Sequence, residues 1–305
     1  MNGIINVYKE QGFTSHDVVA QLRGILKMKK IGHTGTLDPD ATGVLPVCVG
    51  RATKVCDLLT DKDKSYRAVV KLGITTDTLD LTGEVLETKP VSVTIEDVKK
   101  VLPEFMGEIS QIPPMYSAIK VNGKKLYELA RKGEVIERKP RNVTIHELEL
   151  VEHNLSEQEF TIDVTCSKGT YIRTLCQDIG DKLGCGAAMK SLVRTRVDQF
   201  MLEEAKTLAE IEAVVREQGV DTLLLPIDGV FAKYAAISVK EKGMKFLKNG
   251  NLVAAYCCED KAMGKEYEPK DGEKVRMYGD EGDFYAIYSY EKTDNMYHIV
   301  KMFHE

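Results

Sequence analysis

Residues 29–50, KKIGHTGTLDPDATGVLPVCVG, join two lysines to a loop rich in glycine, threonine and proline, and then to an apolar run. Asp38 stands inside the loop directly before Pro39, and the clash with the proline ring keeps its backbone extended. The glycines at 32, 35 and 43 permit backbone angles and close approaches that other residues refuse. The stretch therefore predicts a stiff loop that presents one carboxylate outward, where working residues are often placed.

The spacing alone leaves a second interpretation of this loop open. Asp-Pro turns are common, and in such a turn the carboxylate of Asp38 would accept a hydrogen bond from a nearby backbone N–H and do no chemistry. His33 taken by itself is likewise more often a satisfied surface histidine than a catalytic one. The function of the loop has to be decided by the rest of the chain.

The composition narrows the classes of protein. A chain of 305 residues with 43% hydrophobic residues can bury a sizeable core, as one large domain or one large and one small. The seven cysteines form no C-x-x-C pair, so neither a disulfide framework nor a zinc ribbon is expected. Without a long apolar run or a basic and apolar leader, the sequence predicts a cytoplasmic protein without a membrane span.

The charge is unevenly distributed. Residues 251–305 carry 7 Lys+Arg and 12 Asp+Glu, which accounts for the whole net charge of −5 and leaves residues 1–250 neutral. Two basic clusters lie in that neutral part, at residues 23–30 and 119–141. Such clusters are expected of a protein that binds a phosphate backbone, although either one taken singly could be a solvated helix face.

Hydrophobic periodicity predicts an α+β fold. The predicted strands are 3–9, 64–73, 141–153 and 159–167, and the predicted helices are 14–27, 52–60, 95–107, 124–133, 169–184 and 209–219. The strands succeed one another in hairpins more than in regular βαβ units. A boundary is expected near residues 226–235, followed by about 70 residues with one short helix and several short strands, a small β-rich module.

Four separated blocks, in the same order, resemble the TruB family, the bacterial tRNA pseudouridine-55 synthases. They are GHTGTLDPDATGVLPVCVGRATK (32–54), DKSYRAVVKLGITTDTLDLTGEV (63–85), IPPMYSAIKVNGKKLYELARKG (112–133) and CSKGTYIRTLCQDIGDKLG (166–184). The resemblance runs from about Gly3 to about Gln199. It implies an enzyme that isomerises uridine 55 in the TΨC loop of tRNA: the glycosidic bond breaks, the base turns, and C5 is joined to the sugar.

The resemblance also implies an architecture and partners. It predicts a mixed, mostly antiparallel central sheet with flanking helices in a catalytic domain over residues 1–231. Residues 232–305 resemble a PUA domain, a small β-rich RNA-binding module. The partner is tRNA, through its T arm and, by the C-terminal module, its acceptor stem. No cofactor, metal, guide RNA or protein partner is expected, and the chain is expected to be a monomer.

Site residues follow from the resemblance position by position. Asp38 matches the catalytic aspartate, Tyr66 the tyrosine that stacks on the target base, and Arg173 the arginine paired with the aspartate. Residues 119–141 match a thumb-like insertion that closes over the RNA, and we call them the thumb segment. The predicted substrate-binding residues are His33, Lys9, Leu192, Lys124, Lys125 and Arg131.

The residue types suit this chemistry independently. A uridine must leave its stack before its sugar–base bond can be reached, and an aromatic ring such as Tyr66 can then stack on it. A carboxylate in a pocket that excludes water needs a nearby guanidinium to remain ionised, and arginine provides it in a fork that cannot lose its proton. By pattern alone, however, Tyr66 could equally be a core aromatic, and Arg173 would more often lie on a helix surface.

Three positions depart from the family pattern. Asp40 replaces an apolar residue and is expected to point away from Asp38, whose pKa it would otherwise raise. Glu10 stands where a proline is common, and Asp198 where a glycine is frequent. Other functions also remain: an RNA-binding protein without catalysis, a guide-RNA-dependent relative of this family, or an aspartate-nucleophile hydrolase outside RNA. The thumb segment argues against the second, and the absence of a phosphate loop against the third.

Overall fold

A computed structural model describes residues 1–121 and 123–304 and has the predicted α+β fold. The helices are α1 (Ser15–Leu26), α2 (Cys56–Thr60), α3 (Ile95–Val101), α4 (Leu126–Ala130), α5 (Ile172–Lys182), α6 (Leu208–Gln218) and α7 (Glu241–Lys248). The strands up to residue 201 are β1 (Gly3–Lys9), β2 (Ile31–His33), β3 (Thr42–Val49), β4 (Lys64–Leu72), β5 (Ile74–Thr76), β6 (Val85–Thr88), β7 (Gly107–Gln111), β8 (Lys120–Val121), β9 (Lys124–Lys125), β10 (Arg141–Asn154), β11 (Glu159–Cys166), β12 (Ala187–Val197) and β13 (Phe200–Met201). The later strands are β14 (Ala235–Val239), β15 (Val253–Ala254), β16 (Cys258–Asp260), β17 (Lys274–Tyr278), β18 (Phe284–Glu291) and β19 (Met296–Met302).

A central sheet of nine strands in the described residues positions the site. Its order is β1-β3-β12-β4-β11-β10-β7, with β2 paired to β3 and β13 to β12. Neighbours are antiparallel except β3 and β12, which run parallel. Strand β4 alternates buried and more exposed side chains, as its sequence predicts, and its buried side packs beneath α5 in the main core. The predicted mixed, mostly antiparallel sheet is confirmed.

Local sequence signals fix the starts of several helices. Helix α1 begins with a capping box in which Thr14 accepts from the Asp17 amide and the Asp17 carboxylate accepts from the Thr14 amide. Thr94 with Asp97, and Thr207 with Glu210, repeat this arrangement at α3 and α6. These reciprocal bonds satisfy backbone N–H groups that have no partner inside the helix.

Three predicted helices differ from the structure, and several strands, among them β2, β3, β7 and β12, lacked a prediction. The helix predicted over 95–107 ends at Val101, before a 3₁₀ turn that contains Pro103. Residues 50–55 form a 3₁₀ turn before the short α2, and the helix predicted over 124–133 is confined to Leu126–Ala130 because β8 and β9 make a small hairpin before it. Strand β12, at the centre of the sheet, had no predicted counterpart. At its end Asp198 adopts a positive φ of 50° in the turn to β13, which explains why glycine is frequent there and why aspartate is tolerated.

A second sheet follows the central one. Its six strands in the described residues have the order β15-β19-β18-β17-β14-β16 and enclose their own apolar core with α7. A separate apolar cluster joins the two sheets: Ile4 and Val44 of the first pack with Ile287 and Phe303 of the second, around Phe231. The sheets are therefore packed against each other through apolar side chains.

Candidate active site

A pocket of about 540 Å³ opens at the edge where β4 and β12 meet the start of α5. The residues that line it come from the loop after β2, the end of α2, the start of β4, the middle of β12, the residues just before the thumb segment, the start of β10, and the turn before α5 with the start of that helix. They are Gly35, Thr36, Leu37, Asp38, Thr60, Lys64, Tyr66, Ser117, Ala118, Arg141, Asn142, Val143, Lys168, Gly169, Thr170, Tyr171, Ile172, Arg173, Leu192 and Arg194. Five of these are cations and one is a carboxylate, so the pocket is suited to a ligand that carries negative charge.

The loop that carries Asp38 is tied down on both sides. The amide of Leu37 donates to the Ser15 hydroxyl at the start of α1 (2.9 Å), and the Pro39 carbonyl accepts from the Gly12 amide (2.9 Å). The ammonium of Lys9 also donates to the Pro39 carbonyl, at 3.0 Å. These bonds hold the carboxylate of Asp38 at the pocket without help from a substrate.

Asp38 and Arg173 meet in this pocket. The distance from Arg173 Nη2 to Asp38 Oδ2 is 3.1 Å, and the side chains are 7% and 45% exposed, respectively. Partial burial raises the pKa of Asp38 above its ordinary value, and the Arg173 guanidinium opposes that rise. Asp40 is exposed, as expected, and its charge has a smaller effect on the pKa of Asp38 than the other charged neighbours.

Arg173 is fixed by the protein itself rather than by Asp38 alone. It lies in the first turn of α5, where its Nη1 donates to the Thr78 carbonyl (3.0 Å) and its Nη2 to the Tyr116 carbonyl (2.7 Å). The turn is anchored by Gln111, whose side chain accepts from the Tyr171 amide and donates to the Tyr171 carbonyl. A guanidinium held in this way is pre-oriented toward the carboxylate.

A second carboxylate at this site was missed by the sequence analysis. Asp80 Oδ2 lies 3.5 Å from Arg173 Nη1 and is only 16% exposed in its side chain. Its other oxygen accepts from the Thr78 hydroxyl, the Thr82 hydroxyl and the Thr82 amide, which fixes its orientation. The threonines that flank Asp80 in the TDTLDLTG segment were a signal for such an ordered turn, but nothing local pointed to Arg173.

Tyr66 and Leu192 also line the pocket. Tyr66 lies on β4 directly across from Arg194 on β12 and is almost fully buried in the resting pocket. Burial raises the pKa of Tyr66 to about 12, so its hydroxyl is protonated near neutral pH. Arg194 was also missed; it is fully buried beside Tyr66, and charged residues on a strand are normally expected to face solvent.

The structure does not place Lys9 and His33 among the residues that line the pocket. Lys9 is 0% exposed, and its ammonium donates to the Glu10, Phe13 and Pro39 carbonyls. It therefore supports the loop from behind, which does not favour the predicted contact with substrate. His33 precedes the loop, packs edge-on against His16 at 5.4 Å and accepts from the Gly35 amide.

The thumb segment, apart from position 122, is described. It follows Ser117 and Ala118, which line the pocket, and ends at Arg141, which lines it as well. Lys125 and Arg131 lie 5.3 and 5.4 Å from the centre of the Tyr127 ring, and Lys124 is exposed. All three side chains lie outside the pocket lining, on an element anchored by the small apolar cluster of Met115, Leu126 and Leu129. The pocket and the basic surface are thus adjacent but separate.

Comparison with known proteins identifies the family. A family described as the TruB family pseudouridylate synthase (N-terminal domain) matches residues 23–172, and the tRNA pseudouridylate synthase B C-terminal domain matches residues 173–232. A tRNA pseudouridine synthase B of Lachnoclostridium phytofermentans is 56% identical over 99% of this chain and 100% of its own length. The chain belongs to the TruB family. It is a pseudouridine synthase, an isomerase, as the sequence predicts.

A second relative and two solved structures are also similar to this chain. The chain is 50% identical to a tRNA pseudouridine synthase B of Bacillus cereus, over 82% of this chain and 83% of the relative. A Cbf5-Nop10-Gar1 complex contains a chain with a TM-score of 0.73 at 27% identity, covering 99% of this chain and 84% of that one. A chain in an H/ACA RNP bound to a substrate RNA has the same TM-score at 24% identity, over 99% of this chain and 85% of that one, which supports the fold alone.

Two further findings concern other kinds of site. In the described part of the chain, no three His, Cys, Asp or Glu side chains are grouped so that they could hold a metal ion. No helix within residues 1–121 and 123–304 is long and apolar enough to cross a membrane.

Proposed function

We propose that this pseudouridine synthase acts on tRNA and converts uridine 55 in the T loop to pseudouridine. The observation that carries the proposal is the Asp38–Arg173 ion pair, at 3.1 Å, in a pocket that Tyr66 and Leu192 also line. The tRNA substrate is supported by the names of the relatives, tRNA pseudouridine synthase B, at up to 56% identity. The position within tRNA rests on the resemblance of the sequence to the family.

The pocket can act on a base only after the base has left its stack. A flipped uracil that enters would lie against the Tyr66 ring, and stacking on an aromatic side chain contributes about 1–3 kcal/mol per base. Leu192 provides an apolar contact on the same wall. Four further cations line the pocket, Lys64, Arg141, Lys168 and Arg194, and they suit the phosphates on either side of the flipped nucleotide.

Asp38 is then the anionic group that acts on the nucleoside as the C1′–N1 bond breaks. Closing the pocket removes water and raises the pKa of Asp38 further, and Arg173 opposes this because it cannot lose its own charge. Asp80 neutralises the other side of the guanidinium, so Arg173 is shared between two carboxylates. Of these, Asp38 is the more exposed and the one that lines the pocket.

The surrounding elements suggest how the RNA is held. The thumb segment follows the pocket-lining residues Ser117 and Ala118 in the chain and carries Lys124, Lys125 and Arg131, which would contact the T-arm backbone. We place a catalytic domain at residues 1–231 and a PUA-like RNA-binding domain at 232–305, because the six-stranded sheet and its core begin at β14. The second domain would reach the acceptor stem.

The decisive experiment measures tritium release from tRNA labelled at C5 of uridine. The C5 hydrogen must leave when C5 is joined to the sugar, so isomerisation releases tritium to solvent and binding alone does not. We expect release from bare tRNA and from an isolated T-arm stem-loop, with chemical mapping placing the pseudouridine at position 55. No release without added proteins or guide RNA, or a product at another position, would refute the proposal.

A further inference from the structure

Gln111 is a buried amide that the proposed roles leave unused. It is the last residue of β7, at one end of the main strand order of the central sheet, and it is 1% exposed. Glutamine is mostly exposed in proteins, and a buried side-chain amide is normally hydrogen-bonded. Gln111 Oε1 accepts from the Tyr171 amide at 3.0 Å, and Gln111 Nε2 donates to the Tyr171 carbonyl at 3.3 Å. The side chain therefore pairs with the backbone of one residue through both a donor and an acceptor.

These bonds supply part of a helix cap from outside α5. In α1, α3 and α6, an acidic side chain three residues after the N-cap accepts from the N-cap amide. The N-cap of α5 is Tyr171, and three residues later stands Thr174, whose hydroxyl donates to the Ile112 carbonyl at 3.4 Å. The Tyr171 amide is bonded instead to Gln111, which is 60 residues away in the sequence. The start of α5 is thus fixed by a side chain of β7.

The residues that follow Gln111 also hold Arg173. Arg173 is the second residue of α5, and its Nη2 donates to the Tyr116 carbonyl at 2.7 Å. The same nitrogen lies 3.1 Å from Asp38 Oδ2. Residues 111–116 therefore contact both the N-cap and the guanidinium of one helical turn. A shift of that turn would change the geometry between Arg173 and Asp38, and small misplacements of a catalytic group are costly.

We propose that Gln111 is a positioning residue for the isomerisation, acting through Arg173 on Asp38. Its amide fixes the first turn of α5, and that turn sets the distance and direction of the guanidinium relative to the carboxylate. Gln111 lies outside the residues that line the pocket, so in this role it does not touch the substrate. Its contribution is to the reacting geometry and not to the binding of RNA.

The ends of the thumb segment lie beside this anchor. The segment follows β7 after residues 112–118 and ends at Arg141, which pairs with Gln111 in the register of β7 and β10. This pairing is made by the backbone and does not need the Gln111 side chain. A change of that side chain should therefore leave the thumb segment in place and its contacts with RNA intact.

The test compares single-turnover rates on tRNA with dissociation constants for tRNA. Gln111→Met keeps the length and approximate volume of the side chain but removes both hydrogen bonds to Tyr171. We expect its rate to fall by about 10-fold to 10²-fold, the scale on which misplacement of a catalytic group acts. The dissociation constant should stay within about threefold of the parent, because tRNA affinity comes mainly from phosphate contacts.

A pH profile separates the positioning of Arg173 from a general loss of structure. The charged side chains that act on the Asp38 carboxyl are Arg173, Asp80, Lys9 and Asp40. Arg173 has the largest effect among them, and it opposes the rise in the pKa of Asp38 that burial causes. A misplaced guanidinium would oppose that rise less, so the acid limb of the single-turnover rate should move to higher pH in Gln111→Met.

Ile145→Val is the matched control. Ile145 lies on β10, pairs with Gly107 of β7, is buried in the main core and is not among the residues that line the pocket. The loss of a buried methylene should lower the melting temperature of this variant. Its rate should stay within about twofold of the parent and its acid limb should not move, because the change is independent of the first turn of α5.

The inference rests on the proposed function, and the two can fail separately. A parent enzyme that isomerises no tRNA uridine refutes the function. With an active parent, a folded Gln111→Met refutes this inference alone if it reacts at the parental rate, loses affinity in proportion to rate, or keeps the parental acid limb. An equal loss of rate in Ile145→Val also refutes it, because general loosening would then explain the effect. Should Gln111→Met fail to fold, Gln111→Asn decides by the same measurements, since its shorter amide stays polar but is withdrawn from Tyr171.

Discussion

The side chain of Arg173 makes more contacts with the rest of the protein than that of Asp38. This difference decides what each substitution should do. Arg173 is nearly buried and also donates to two carbonyls and contacts Asp80, whereas Asp38 is half-exposed on its loop. The loop is held by its backbone and by Ser15 and Lys9 rather than by the carboxylate. Changing Asp38 should therefore leave the pocket intact, and changing Arg173 should not.

Asp38→Asn keeps the shape of the side chain and removes its charge. We expect tritium release to fall below detection while the dissociation constant for tRNA changes by less than about threefold, since tRNA affinity comes mainly from phosphate contacts elsewhere. Both quantities can be measured on one preparation, by tritium release and filter binding. A loss of binding in proportion to activity would mean that Asp38 is a structural residue.

The same variant should show how the carboxyl group of Asp38 changes the stability of the folded protein with pH. The pKa of Asp38 is raised from 3.8 in the folded state, so the folded protein binds the proton more tightly than the unfolded chain. Stability contributed by this carboxyl therefore falls as pH rises from about 4 through the raised pKa. The asparagine of the variant lacks this dependence, so the melting temperature of Asp38→Asn minus that of the parent should increase between about pH 4 and neutral pH. A decrease over that range would contradict the direction of the shift.

Arg173→Lys retains one charge but cannot make the four contacts of the guanidinium. The carbonyls of Thr78 and Tyr116 would lose donors, at about 1–3 kcal/mol for each buried acceptor left unpaired. We expect turnover to fall strongly and the free energy of unfolding to fall as well, by denaturant titration. Asp80→Asn is the comparison, because it removes a carboxylate from Arg173 while the asparagine can still accept from Thr78 and Thr82. Near-normal turnover in Arg173→Lys would mean that the ion pair does not control Asp38.

At the scale of single residues, the sequence identified the site residues that match the motifs of a known family. It missed the residues that contact them from elsewhere in the fold. Asp38, Tyr66, Leu192 and Arg173 all line the pocket. The contacts of Asp80 and Arg194 are made across the fold, at separations of 93 and 128 residues from Arg173 and Tyr66. Hydrophobic periodicity carries no information about contacts between residues that lie far apart in the sequence. A buried arginine on a strand is predicted to be a surface residue until the packing of the sheet is known.

At the scale of elements, the parallel contact between β3 and β12 explains one glycine of the loop. Gly43 has φ +106°, and a methyl group on it would lie 2.2 Å from the Arg194 carbonyl oxygen and 2.8 Å from the Arg194 nitrogen. Its close approach lets β3 pair with β12 at Thr42–Val193 and Gly43–Arg194. The glycine that the sequence marked for conformational freedom also brings the loop of Asp38 against the strand that carries Arg194.

Gly43→Ala should therefore lower the free energy of unfolding by more than backbone strain alone would. The clash is with main-chain atoms that cannot rotate away, so we expect a loss of at least about 3 kcal/mol in the free energy of unfolding together with a large loss of activity. Gly184→Ala is the matched control, because Gly184 has a positive φ of 81° with nothing within 4 Å of the added methyl group. It should cost about 1 kcal/mol. Equal losses in the two variants would show that collision with β12 contributes nothing.

Elements with a regular hydrophobic period were predicted well, and β12 shows where prediction from hydrophobic periodicity fails. The buried alternation of β4 and the capping box of α1 were both visible in sequence and are confirmed. In β12 the pattern is broken by register shifts at Met189–Ser191 and Arg194–Arg196, and it includes a buried arginine. A central strand with bulges and an inward cation resembles a polar segment when only the sequence is considered.

For the whole molecule, the sequence predicts that a chain ending near Phe231 should fold if the cut exposes little apolar surface. The structure does not meet that condition. Phe231 packs against Phe303 at 5.7 Å and Phe284 at 6.4 Å, within the cluster that also contains Ile287 and, from β3, Val44 and Cys48. Removing the tail would take away Phe284, Ile287 and Phe303 and expose Phe231 with the apolar residues of the first sheet that pack in this cluster, so a shortened chain is expected to be unstable. The contribution of the tail to RNA binding has to be measured in the full chain.

The solvent-exposed face of α7 allows the contribution of the tail to RNA binding to be tested in the full chain. Lys242, Lys245 and Phe246 share this face and are exposed, while Gly243, Met244 and Leu247 pack into the core of the second sheet. Lys242→Glu combined with Lys245→Glu should therefore leave folding unchanged and weaken binding of whole tRNA, lowering the slope of log K against log salt concentration by about 2. Binding and turnover of an isolated T-arm stem-loop, which we expect to lie within reach of the pocket and thumb segment alone, should not change. The corresponding change to Gln at both positions should give a smaller effect, because it removes the charge without reversing it. Equal weakening for stem-loop and whole tRNA would place these lysines at the T arm, and no weakening for either would mean that α7 does not contact RNA.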